Sequence, residues 1–107
     1  MFQLINNSLS QAGKWQHDEN RIDYLCTSFP EQSQFITCAE EGLNKLGAQI
    51  SDIANGIERA QVHFVYQQRT YILCFEQTCE AIWIEGIGET NPEALVLLFH
   101  SLSADLQ

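Results

Sequence analysis

His63 and Cys74 are the two residues of this chain whose types could do chemistry together. A thiol beside an imidazole is the elementary nucleophile-and-base pair. Val62-His63-Phe64-Val65-Tyr66 and Thr70-Tyr71-Ile72-Leu73-Cys74-Phe75 both alternate, which is the pattern of half-buried strands. Paired antiparallel about a turn at Gln68-Arg69, they set Val62 opposite Phe75, Phe64 opposite Leu73 and Tyr66 opposite Tyr71. A second turn at Thr78-Cys79 sets Phe75 opposite Ile82 and Leu73 opposite Ile84. Two separate turns agree on one apolar face. The opposite face carries His63, Val65, Ile72, Cys74, Trp83, Glu76 and Glu85, with His63, Cys74 and Trp83 in one row.

A mid-strand pair on a flat sheet has no cleft, no oxyanion donors and no third group to orient the base. No catalysis is expected from it. Gly86-Ile87-Gly88 follows a strand and precedes a helix, where a phosphate loop would sit, but Glu85 and Glu89 flank it with the wrong sign for an anion. The cysteines Cys26, Cys38, Cys74 and Cys79 are separated by 12, 36 and 5 positions, which matches no zinc-ligand spacing. His17, His63 and His100 lie far apart, and Glu31, Glu40 and Glu41 read as a solvated helix face. The expectation is a non-enzyme with no catalytic residue, no cofactor and no metal.

What remains of that face is a contact surface. An uncovered sheet face ordinarily alternates to polar residues, whereas this one keeps His63, Val65, Ile72, Cys74 and Trp83 together. Apolar patches mark contact sites, and tryptophan is enriched at interface hot spots. Two other readings compete. Phe2, Leu4, Ile5 and Trp15 could fold over the face within the same chain, or the sheet could curl and leave Trp83 at an edge.

The elements that must position these residues are legible in outline. Lys14-Trp15-Gln16-His17 pairs with Arg21-Ile22-Asp23-Tyr24-Leu25-Cys26 across the polar turn Asp18-Glu19-Asn20. Ser28-Phe29-Pro30-Glu31 has the form of a capping box, and Phe35, Ile36, Ala39, Leu43 and Leu46 recur at helical spacing up to Gly47. A strand over 48–53 turns at Asn55-Gly56, and a three-residue turn would place Val62 opposite Ile50 and Phe64 opposite Ala48. Thr90-Asn91-Pro92-Glu93 opens a last helix with Leu95, Leu98, Phe99, Leu102 and Leu106 as its buried stripe. The order β-β-α-β-β-β-β-α predicts an α+β domain over 1–107: an antiparallel sheet of five to six strands with two helices on one face.

The formal charge of −9 comes from fourteen acidic and five scattered basic residues, so nucleic acid and anionic membranes are poor partners. No apolar run reaches the ~20 residues that span a bilayer. Met1-Phe2-Gln3-Leu4-Ile5 lacks the charged and apolar regions of a signal peptide, and the expected location is cytoplasmic, with reduced thiols.

Ile22-Asp23-Tyr24-Leu25, the 29–43 helix, and Tyr71-Ile72-Leu73-Cys74-Phe75-Glu76 leading into Ala81-Ile82-Trp83-Ile84-Glu85 resemble a family of small bacterial proteins classed only as a domain of unknown function. The resemblance spans Arg21 to Gly86 and carries no activity or site. Size, acidity and element types are also similar to those of the homodimeric chaperones of bacterial secretion systems, although the N-terminal helix of those proteins is not evident. The expected function is a protein-binding module that uses the Trp83 face, for another protein or for itself. A secretion-type chaperone for a co-encoded protein, and an enzyme whose site is hidden from sequence, are the alternatives.

Overall fold

A computed structural model describes residues 13–26, 28–88 and 92–104. Phe2, Leu4, Ile5, the Thr90-Asn91 cap and Leu106 lie outside these. The elements run β1 (Lys14–His17), β2 (Arg21–Leu25), α1 (Gln32–Leu46), β3 (Gln49–Gly56), β4 (Arg59–Tyr66), β5 (Arg69–Glu76), β6 (Ala81–Gly86) and α2 (Pro92–Ala104). The six strands form one antiparallel sheet in the order β1-β2-β6-β5-β4-β3. Helix α1 lies over β3 and β4, and α2 lies over β1, β2 and β6. Both cover one face, as the α+β reading expects.

That face supplies the core. Ile22, Tyr24, Val62, Phe64, Tyr71, Leu73, Phe75, Ile82 and Ile84 alternate inward along their strands and are buried. Phe35, Ala39 and Leu43 of α1 and Leu95, Leu98 and Leu102 of α2 close over them. The aromatic rings pack in pairs: Phe75 stacks on Phe35 at 4.8 Å and on Phe29 at 5.1 Å, and Phe64 stacks on Tyr71 at 5.4 Å. Trp15 belongs here too. It is 4% exposed and lies 4.8 Å from Tyr24, so it is a core residue and not a cover for the opposite face.

The β5–β6 register is the expected one, with Phe75 opposite Ile82 and Leu73 opposite Ile84. The β4–β5 register is not. Val62 faces Leu73, Phe64 faces Tyr71 and Tyr66 faces Arg69, so the turn is Gln67-Gln68 and the pairing is slipped by two from the expected one. A slip of two keeps every side chain on its face, so alternation cannot detect it. The observed turn, of the same length, gives the pairs Val65–Thr70 and Tyr66–Arg69 and holds two left-handed glutamines with φ of 50° and 67°. Two consecutive positive φ values suit Asn-Gly, not Gln-Gln. Gln68→Gly should therefore raise stability by about 0.5–1 kcal/mol, since relief of the left-handed side chain outweighs the added freedom of the unfolded chain. A thermal melt should show a gain of a few degrees, and a loss would mean that the glutamine side chain has a structural task.

The β3–β4 turn also differs. It is Ile57-Glu58, with Asn55 and Gly56 kept as the end of β3. Ile53 faces Val62 and Ile50 faces Phe64, and a bulge at Ser51 absorbs the extra residue between them. The bulge puts both isoleucines against the core although they are three positions apart. Gln32, in the first turn of α1, ties this hairpin down through its Nε2, which donates to the carbonyls of Gly56 (2.7 Å) and Arg59 (3.1 Å).

Helix α1 starts three residues later than Ser28 suggested. Its N-cap is Glu31, whose N–H donates to Oε1 of Gln34 at 3.3 Å. Pro30 pushes the residue before it out of helical conformation, and Phe29 uses that extended approach to stack on Phe75. The helix ends at Gly47, in left-handed conformation at φ 91°. There the Ala48 N–H reaches the Leu43 carbonyl and the Gly47 N–H reaches that of Asn44.

Candidate functional site

The open face of the sheet is built by the side chains that alternate away from the core. Lys14 and Gln16 come from β1, Arg21, Asp23 and Leu25 from β2, and Ala81, Trp83 and Glu85 from β6. Thr70, Ile72, Cys74 and Glu76 come from β5, and Arg59, Gln61, His63 and Val65 from β4. Pairing across strands arranges them in rows. One row runs Asp23–Trp83–Cys74–Gln61, and its neighbour runs Arg21–Glu85–Ile72–His63–Asp52. His63 is thus in the row beside Cys74 and Trp83, not in theirs, because of the two-residue slip. All five predicted surface residues still share this face. His63, Val65, Ile72 and Trp83 are half-buried, and Cys74 is 4% exposed.

Trp83 is held on both its polar and its aromatic side. Its Nε1–H donates to Oε2 of Glu85 at 2.8 Å. The Arg21 guanidinium lies 5.0 Å from its ring centroid, a cation–π contact, while Arg21 also donates from Nε to Asp23 at 2.9 Å. That bond and the Asp23 charge raise the Arg21 pKa, and Glu85 adds to them. The indole is therefore fixed on the open face, not buried in it. Sequence could not show the part played by Arg21, because nothing local indicates that β2 lies beside β6.

Cys74 sits under this group, with Sγ 3.9 Å from the same Glu85 oxygen. Burial, and next the Glu85 carboxylate, push its thiol up to about 12. A thiol so placed keeps its proton at neutral pH and is a poor nucleophile. His63 stands diagonal to it, and its Nδ1 is enclosed with no hydrogen-bond partner among the described residues. The pair has neither an activated thiol nor an oriented base. Among the described residues, no three His, Cys, Asp or Glu side chains come together to hold a metal ion.

Beside Trp83 the face dips into a recess of about 190 Å³, lined by Arg59, Gln61, Cys74, Glu76 and Trp83. Arg59 and Glu76 pair across its rim at 3.6 Å. A second recess of about 250 Å³ lies on the helix side, between the Gln67-Gln68 turn and α2. Its hydroxyls are engaged in structure: Tyr71 Oη donates to the Ala94 carbonyl, and Tyr66 Oη donates to Ser101 Oγ at 2.9 Å.

Fold and face together define a two-layer α+β protein whose distinguishing surface is a half-apolar sheet with a braced tryptophan. The family model described as "Protein of unknown function (DUF3630)" matches residues 11–103, and the chain belongs to that family. The match extends past the resemblance read over Arg21 to Gly86, taking in β1 and nearly all of α2. The chain matches no curated protein and no solved structure. No helix among the described residues is long and apolar enough to cross a membrane.

Proposed function

We propose that the protein is a non-enzymatic binding module that uses the open sheet face, with Trp83 as its central anchor and His63, Val65, Ile72 and Cys74 around it. The observation that carries this reading is the bracing of Trp83 by Glu85 and Arg21, which holds a large amphipathic ring ready at the surface. Preorganised aromatic anchors reduce the ordering cost of association. The charged residues around the patch match the polar rim of a protein interface, and the recess beside Trp83 can receive a partner's side chain.

Trp83→Glu is the test. The variant should keep the far-ultraviolet spectrum and melt within a few degrees of the parent, because the ring contributes to the surface and not to the core. Proteins retained by the immobilised parent from an extract of its own source should be lost on the variant. Retention of the same proteins by both would overturn the proposal, and so would an unfolded variant.

A further inference from the structure

We infer that the partner of the open face is a second copy of this chain, packed sheet to sheet about a two-fold axis. The inference rests on the binding-module reading and adds the identity of the partner. Its basis is the distribution of charge. The chain carries −9 formally, yet the open face holds three of its five cations, Lys14, Arg21 and Arg59, against the four carboxylates Asp23, Asp52, Glu76 and Glu85. The other described residues carry only Lys45 and Arg69 against eight carboxylates. Two copies that approach by their helix sides or turns bring like charge to like charge. The open face is the one broad surface among the described residues where two such chains can meet near neutrality.

The layout of that face fits a self-complementary contact. A two-fold contact presents the same patch from both sides, so the patch must carry both signs and an apolar centre. Trp83 and Ile72 lie on the two middle strands, β6 and β5, while Arg21 and Asp52 lie toward opposite sides of the sheet in one row. A two-fold axis parallel to the strands superposes the β2 side of one copy on the β3–β4 side of the other. With that axis between β6 and β5, Arg21 of each copy lies over His63 of its mate, one strand away from Asp52, and the two Trp83 patches meet at the centre. Size is sufficient as well. Strands of four to eight residues, at ~3.4 Å per residue and ~4.8 Å apart, give a flat area of roughly 640 Å² before side-chain relief is counted, of the same order as the ~800 Å² per partner of a standard interface.

Light scattering coupled to size exclusion, on the full chain over a range of protein and salt concentrations, tests this. The expected mass is twice 12.2 kDa, with the dimer fraction rising as salt screens the mutual repulsion of two acidic chains. Trp83→Glu and, independently, Val65→Lys should both return the mass to one chain, with the far-ultraviolet spectrum kept and a cooperative melt lowered only by the stabilisation that association supplied. A single-chain mass at every concentration overturns the inference, whether residues 1–12 or another protein then occupy the face. A dimer that survives both variants, folded, overturns it too. If the chain is monomeric while retention of another protein still depends on Trp83, the second copy is wrong and the binding-module reading stands.

Discussion

Phe75→Ala should lower the stability of the protein by about 3–5 kcal/mol, a large fraction of the roughly 5–15 kcal/mol that holds a domain of this size together. Phe75 is 1% exposed and joins three parts of the structure. It stacks on Phe35 of α1 and on Phe29 of the approach to that helix, and it sits between Ala60 of β4 and Ile82 of β6. Removing the ring leaves a cavity that strands paired on both sides cannot close. Urea denaturation measures the effect as a drop in midpoint with the slope preserved. Leu97→Ala is the internal contrast, because Leu97 is 62% exposed and its loss should be nearly neutral. A Phe75→Ala loss no larger than that of Leu97→Ala would mean that the core is organised about another residue.

The second large effect is alkaline. The Cys74 thiol is pushed up from its ordinary 9.0 to about 12, first by burial and then by Glu85. Below pH 9 both folded and unfolded chains hold the proton, and the contribution to stability is fully present. Between 9 and 12 the unfolded chain has released the proton while the folded one keeps it. The folded state then binds more protons, and stability falls with rising pH by at most about 1.4 kcal/mol per unit for this one group. Burial, aided by Glu80 and Glu41 respectively, raises the Cys26 and Cys38 thiols, and burial likewise raises Tyr71, so all act in the same direction. Urea midpoints in reducing buffer from pH 7 to 10.5 should decline above 9. Cys74→Ala should start lower, because it loses packing, but should decline less steeply. Equal slopes in the two proteins would show that Cys74 titrates normally.

Strand identity, helix identity and the two faces of the sheet were legible because each depends on periodicity, and the periods here are clean. Registers were less so. The slip at Gln67-Gln68 moves the pairing by two residues and changes no face, and a turn without glycine or asparagine gives no local signal. The Ser51 bulge hides Ile50 and Ile53 in a different way, since residues three apart do not look like one side of a strand. Ser28 resembles a cap, but Pro30 makes the approach extended and hands the role to Glu31. Alternation alone predicts that His63, Val65, Ile72, Cys74 and Trp83 share one face, while the bracing of Trp83 has no local signal. Arg21 reaches Trp83 only because the N-terminal hairpin adds to the sheet beside β6, a long-range pairing that no local pattern announces.

The Ser51 bulge also bears on how chains of this kind stay apart. Strand β3 is the longer of the two sheet margins among the described residues, and the N–H and C=O groups that its alternate residues turn away from β4 form a template on which a neighbour's strand could lengthen the sheet. The irregularity between Ile50 and Asp52 breaks that template near one end and adds a carboxylate beside the break. A strand laid along the whole margin would have to interrupt its ladder there. Open-ended growth at this margin is thereby discouraged, and any association that does occur is steered toward contacts that close on themselves.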